Sequence, residues 1–386
     1  MKIVHVCMVD AYSEGWAYHR NVISEKNKSD GQDVTIITNK YKMGNLGENI
    51  SGESCVEYTK TGIKIIRLDN VCFLDDRLGD KVHWSVGLLK SIKEENPDVL
   101  MVHNLQFIGL DSVIKYKKMN PKVKLIGDTH ADKYNTYGGK HPKRSLFFQR
   151  YLYGPAIKRC YKYFDYFFYI TEETKDFFEY SYNISLENAL LMPLPAPIIS
   201  KEQKEKCIQE VRKELGLDDK QLLFVHSGRM YEEKKTKLIF EALKRSDIHC
   251  KLLIFGSVPI EFEKEFDTLL RNEPRTEFRG WIESDELRKY LAAADLYLQP
   301  GSQSVTMQNA LAAGTPIMIY PHKGYMDYCN GCEFLVENVE DIVSVFNKIK
   351  RDSVMLKKKS EEAYVIAEKL LNIERQTQYM YSNFEK

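Results

Sequence analysis

The first residues able to do chemistry are Ser227-Gly228-Arg229-Met230 and the following Glu232-Glu233-Lys234-Lys235. They come after an apolar run and open an amphipathic stretch. A glycine turn, cations and the free N–H groups of a helix start form an anion site, because the helix dipole and the side chains both favour phosphate. The alternative is a solvated charged loop. Gly256, in Phe255-Gly256-Ser257, follows the next apolar run. It either lets the backbone approach a ligand or makes an ordinary turn. Next come Phe278-Arg279-Gly280-Trp281-Ile282 and Ser284-Asp285-Glu286-Leu287, with Ser284 a good N-cap. A strand then ends in Pro300-Gly301, a polar loop follows through Ser302, Gln303, Ser304 and Val305, and a helix of small residues carries Gln308 and Asn309 up to Gly314. In the first half, His103 and His130 each lie at or just beyond the end of an apolar run, His130 between Asp128 and Asp132. Such a histidine is either an oriented polar contact or a satisfied structural side chain; for His103 the structural reading is favoured. Cys329-Asn330-Gly331-Cys332 has no second CxxC pair to complete a zinc ribbon and reads as loop cysteines.

The elements that must position these residues alternate between short apolar runs and amphipathic stretches. Strands are expected at 2–7, 33–38, 63–68, 99–103, 123–126, 166–170 and 189–192, with helices at 16–29, 81–95 and 107–119. Gly31 stops the first helix. Pro193-Leu194-Pro195-Ala196-Pro197 cannot continue a helix or a central strand and begins a linker, with a charged helix at 200–214. The alternation restarts with strands at 222–226, 251–255, 277–279, 296–299 and 316–319. Helices are expected at 234–245, 260–271, 284–293, 304–313 and 339–350, with a polar helical tail at 353–384. This is βαβ alternation, so the fold class is α/β with two doubly wound, Rossmann-like parallel sheets. Ligands of such sheets bind beyond the carboxyl ends of the strands.

The order of signals over about ninety residues resembles the retaining family-4-like glycosyltransferases: strand–GR–K-helix, strand–G, F-x-G-W, A-D-L-Y-L-x-P and A-L-A-A-G-T-P. In the first half, Gly15, Gly31-Gln32-Asp33-Val34, Pro97-Asp98-Val99-Leu100, Asp128-Thr129-His130-Ala131-Asp132 and Asp165-Tyr166-Phe167-Phe168 look like that family too. The H-A-D segment and P-G-x-x-S-V loop are similar to a bacterial surface-polysaccharide subgroup. The resemblance implies the GT-B architecture: two facing domains with a cleft between them. It implies an acceptor-binding domain at 1–195, completed by a C-terminal helix at about 368–386 that packs back on it, and a nucleotide-sugar-binding domain at 196–367. It implies transfer from a nucleotide-diphosphate sugar, UDP-linked in preference, with retention and without a metal or other cofactor. Consistent with that, no D-x-D occurs in the chain. By position, Arg229 and Lys234 hold the diphosphate, with Lys235 the alternative to Lys234, and His130 reaches the donor sugar. Gly15, Gly228, Gly256 and the backbone N–H groups of Ser302, Gln303, Ser304 and Val305 line the donor. Trp281 and Ile282 lie near the base, Trp281 equally readable as a core aromatic. The family's two glutamates are missing: Gln308 or Asn309 stands at the helix position, and no acid lies between Asp295 and Asp327. An amide lacks the charge-assisted strength of a carboxylate, so a catalytically impaired relative that binds a nucleotide sugar or a partner protein is the alternative.

From Lys133 to Phe164 there is no Asp or Glu, while eight cations alternate with aromatics. This suits an anionic inner-membrane surface and a polyprenyl-diphosphate-linked acceptor, or else a core-packed helix with solvated cations. Nucleic acid is disfavoured because 56 basic and 55 acidic residues leave a net charge of +1. No apolar run reaches the ~20 residues of a membrane span, and the start lacks the length and cleavage site of a signal peptide. The expected location is the cytoplasm, and the eight cysteines are expected to stay reduced. A dinucleotide-dependent oxidoreductase would need G-x-G-x-x-G after a strand, and there is none.

Overall fold

Lys2–Cys7 (β1) is buried on both faces from Ile3 onward, the pattern of a strand covered from both sides. Asp33–Asn39 (β2), Cys55–Tyr58 (β3), Lys64–Leu68 (β4), Val99–His103 (β5), Lys124–Thr129 (β6), Tyr166–Tyr169 (β7) and Leu190–Leu191 (β8) join it in one sheet. The order is β8-β7-β6-β5-β1-β2-β4-β3. Every pair is parallel except β3 with β4. A computed structural model describes the protein except for residues 17, 45–48, 72, 74, 134–135, 137–141, 303 and 385–386.

The chain divides into two units, Met1–Pro193 with Glu374–Lys386, and Leu194–Ile373. The second holds Leu222–Arg229 (β9), Cys250–Ser257 (β10), Thr276–Gly280 (β11), Leu296–Gln299 (β12), Ile317–Ile319 (β13) and Glu333–Leu335 (β14). Their order is β11-β10-β9-β12-β13-β14, all parallel. Successive strand residues feed opposite cores: Leu223, Val225 and Tyr297 pack on one face, Phe224, Leu296 and Leu298 on the other. In both units the strand order reverses beside the first strand, between β1 and β5 and between β9 and β12. Those switch points, at the carboxyl ends, are where an open α/β sheet presents a crevice.

Local differences from the sequence reading have local causes. The helix expected at 81–95 is two helices, Asp76–Val82 and Leu88–Glu95, because His83 (φ 52°) and Gly87 (φ 87°) turn left-handed between them. Ser284 is the first helical residue of Ser284–Ala293, not its cap; Glu283 holds that place. Strands β3 and β14 were not anticipated; β3 is an exposed antiparallel edge and β14 has only three residues. The helical tail is Val354–Leu370 followed by Ile373–Phe384. In the latter, Tyr381 bonds Asn27 at 2.7 Å and Asp30 at 3.0 Å.

The basic aromatic stretch divides by face. Tyr153, Ile157 and Cys160 are buried, and Tyr161 and Phe164 pack against the same core. Phe147, Phe148 and Tyr151 are exposed, with the Phe147 ring against each of the other two. No helix among the described residues is long and apolar enough to cross a membrane.

Candidate functional site

In the second unit, glycines bring three strand ends together. Gly228 and Gly256 are neighbours across β9 and β10, both at φ 130°. A Cβ on Gly256 would overlap the carbonyl oxygen of Gly228, and one on Gly228 would meet Lys234 Cε at 2.9 Å. Gly301, just past β12, has the same restriction: a Cβ there would overlap the carbonyl of Glu233. The Ser302 amide donates to that carbonyl at 2.7 Å. Lys234 is thereby tucked under the Gly228 turn, 9% exposed, and burial pushes its ammonium down to about 8. Arg229 ends β9 and is exposed. Lys235, left-handed at φ 53°, caps Thr236–Lys244 and sets its Nζ 4.1 Å from the Tyr320 ring.

Below this cradle lies a buried polar layer. His226 donates from Nδ1 to the Leu298 carbonyl at 2.8 Å, and its Nε2 meets Thr236 Oγ1 at 3.0 Å. Burial lowers this imidazole to about 4, so it is neutral. Tyr297 donates to Gln299 Oε1, and Gln299 donates to the Ser302 carbonyl. The loop after β12 is thus tied back to its own strand through Gln299 and to the turn after β9 through Glu233.

The first unit has a histidine cluster at its switch point. His103 ends β5 directly opposite Asp128 of β6. His103 Nδ1 lies 2.7 Å from Asp128 Oδ2, His130 Nε2 3.2 Å from Oδ1, and His19 Nδ1 3.4 Å from Oδ2. His5, on β1, stacks on His103 with ring centroids 5.2 Å apart. Asn104 donates its amide to Asp128 Oδ1 at 3.0 Å and accepts the His130 amide at 2.8 Å. Burial drives His5 to about 3 and His19 to about 4. Burial alone would raise Asp128, but the charges and hydrogen bonds of His130 and His103 outweigh it and hold the carboxyl well below its usual range. Ligand atoms of His19, His103, Asp128 and His130 all lie within 4.8 Å of one another, a set able to hold a metal ion.

Residues 208–366 match the family described as "Glycosyl transferases group 1". The chain carries a group 1 glycosyl transferase domain. Among solved structures it is similar to HepE of Anabaena in complex with UDP, at 14% identity, a TM-score of 0.71 and 100% of both chains covered. It is also similar to sucrose-phosphate synthase of Thermosynechococcus elongatus, at 13% identity, a TM-score of 0.68, and 99% and 98% covered. A third is WaaG, a glycosyltransferase involved in lipopolysaccharide biosynthesis, at 18% identity, a TM-score of 0.63 and 95% of both chains covered. These likenesses establish the fold, GT-B. No curated protein sequence matches the chain.

In this glycosyltransferase the cradle around Gly228, Lys234, Gly256 and Gly301 lies inside the matched region, and the histidine cluster lies outside it. Gly15 is exposed at φ 85°, with open space where a Cβ would stand. Trp281 is 61% exposed, which excludes its core reading, while Ile282 packs against the core. The expected row of free backbone donors is not intact. The Ser302 amide is bound to Glu233, and the Ser304 amide donates to the Tyr325 hydroxyl at 2.6 Å. The Ser304 side chain caps Val305–Ala312, and Gln303 lies outside the described residues. Gln308 is buried and donates to Tyr328 at 2.8 Å; its Oε1 has no hydrogen-bond partner among the described residues. Asn309 is half-buried. The sequence reading missed His5, His19 and Asn104. The available signal was register: His103 and Asp128 end adjacent strands, and a polar residue inside β1 beside them calls for a polar partner.

Proposed function

We propose that this glycosyltransferase moves a sugar from a nucleotide-diphosphate donor, UDP-linked in preference, to a glycan or polyprenyl-diphosphate-linked acceptor of bacterial surface polysaccharide. Transfer proceeds with retention and needs no metal at the diphosphate. One observation carries the reading: a buried lysine under two mutually locked glycine turns, with Arg229 at the rim, inside the matched domain. A leaving diphosphate gains negative charge in the transition state. Cations already held in place stabilise it without reorganisation. Arg229 and Lys234 take that part, and His130 contacts the donor sugar. The leaving phosphate itself takes the acceptor proton, so the protein's work is positioning and charge stabilisation. HepE has been solved with UDP and with UDP-glucose, which supports the choice of base.

The test is a thermal-shift and calorimetric panel of UDP, GDP, ADP, CDP and their sugar conjugates in EDTA. UDP and one UDP-sugar should raise the melting temperature by mass action. Arg229→Ala should weaken that binding about ten- to hundredfold, the value of a charge-assisted contact of about 1.5–3 kcal/mol. Absence of any nucleotide shift would leave the impaired, partner-binding reading. The observation favouring that reading is the amide pair Gln308 and Asn309, with Gln308 tied to Tyr328.

Membrane contact is the second part of the proposal. Phe147, Phe148 and Tyr151 stand exposed on a helical segment that also carries exposed Arg150, Lys158 and Arg159. Rings at the headgroup level and cations facing anionic lipid are the two halves of an interfacial contact. The protein should float with vesicles containing phosphatidylglycerol, and the double variant Phe147→Ser, Tyr151→Ser should not. Wild-type protein left in the pellet fraction would reject the contact.

A further inference from the structure

We propose that His19, His103, Asp128 and His130 bind one divalent transition-metal ion of the zinc class. The inference concerns the first unit and does not depend on Arg229 or Lys234; it shares His130 with the proposed donor contact, giving Nε2 to the ion and leaving Nδ1 for the sugar. Bonds of about 2.0–2.1 Å to a single ion set neighbouring ligand atoms roughly 3–3.4 Å apart. Asp128 Oδ2 lies 2.7 Å from His103 and 3.4 Å from His19, and Oδ1 lies 3.2 Å from His130; the four ligand atoms all lie within 4.8 Å of one another, so small side-chain shifts bring them round one ion. Three imidazoles with one carboxylate suit zinc, cobalt or nickel and not the oxygen-seeking magnesium and calcium.

A chain of hydrogen bonds fixes which nitrogen His103 offers. The Asp30 carboxylate can only accept, so the Tyr381 hydroxyl donates to it at 3.0 Å. The Tyr381 oxygen therefore accepts from Asn27 Nδ2 at 2.7 Å. That leaves Asn27 Oδ1 to accept from His5 Nε2 at 3.0 Å, and His5 Nδ1 to accept from His103 Nε2 at 2.9 Å. His103 is thus held with its Nε2–H pointing away and its Nδ1 aimed at Asp128. A ring nitrogen and a carboxylate oxygen 2.7 Å apart require a positive centre beside them, either a proton or a metal ion. A ligand histidine whose other ring N–H is anchored by a hydrogen bond is the arrangement metal sites use to orient their ligands.

His19 supplies the second, independent observation. It is 4% exposed, and neither of its ring nitrogens has an aligned hydrogen-bond partner among the described residues. His130 Nε2 is in the same condition. Buried polar atoms without partners are costly, and an ion among these four residues would take one nitrogen of His19 together with His130 Nε2.

The test uses the untagged full chain, stripped with EDTA and titrated with Co²⁺ and then Zn²⁺, followed by calorimetry and visible absorption. The expected result is saturable uptake of a single equivalent of Co²⁺, with the d–d bands of a nitrogen and oxygen site, displaced by Zn²⁺. His19→Ala should weaken binding at least about tenfold, since one of four ligands is lost. If that variant fails to fold, the wild-type spectrum decides alone. Three results would overturn the site: no saturable binding, a sulfur-to-cobalt charge-transfer band placing the ion on Cys329 and Cys332, or unchanged affinity in folded His19→Ala.

Discussion

Gly256→Ala should destabilise the second unit by at least about 3 kcal/mol and abolish nucleotide binding. Two terms add. The backbone at φ 130° is one that residues with side chains rarely adopt, at a strain of about 1–3 kcal/mol. The new Cβ would also overlap the Gly228 carbonyl, a backbone atom of the neighbouring strand that cannot rotate away. Relief requires β9 and β10 to part where they frame Lys234. Gly216→Ala isolates the first term: it too has positive φ, 62°, but nothing within 4 Å of a Cβ. Its cost should be about 1–2 kcal/mol, with binding intact. Urea midpoints of the two variants, read beside UDP titrations, make the comparison. Equal midpoints would mean that the Gly228–Gly256 contact does not hold the cradle together.

The second large effect is that of Lys234. Lys234→Ala should weaken UDP binding by about tenfold to a hundredfold, as loss of a charge-assisted contact does. Its pH dependence is more specific. Burial lowers this lysine to about 8, so it is charged below that pH and progressively neutral above it. A diphosphate favours the charged form, so binding takes up a proton once the pH exceeds about 8. Affinity should therefore be flat below pH 8 and fall by up to about tenfold per unit above it. Lys234→Arg should bind without this decline, because guanidinium keeps its proton. Calorimetry in buffers of different ionisation heat reads the proton uptake directly. A flat profile to pH 9.5 in the wild type would remove Lys234 from the diphosphate site.

Much of the architecture was legible because parallel strands covered on both faces need unbroken apolar runs, and sequence displays these plainly. Val99–His103, Leu296–Gln299 and Ser284–Ala293 have the bounds expected for them. The breaks came where one residue's backbone conformation decides, as at His83 and Gly87, or where pairing supplies what a short segment lacks, as in β3 and β14. The glycine, cation and loop motifs of the second half were readable for a related reason. Each lies next to a strand end, and strand ends of one sheet meet at one edge.

The sequence by itself determined the α/β class, the strand ends at which ligands could meet the chain, and the motif order that points to glycosyl transfer. Only the tertiary structure decided which of two adjacent lysines is buried under the Gly228 turn and which stacks on Tyr320. It also decided that two of the expected backbone donors are already bound within the protein. The cluster of His19, His103, Asp128 and His130 belongs to the same class of facts. Its members come from one helix, two strand ends and a loop, spread from residue 19 to residue 130, and no local pattern encodes the meeting of His19 and His103 with Asp128. Spacing along the chain reports on helices and strands. Sheet order and register, set by the packing of the whole unit, decide which side chains share a site.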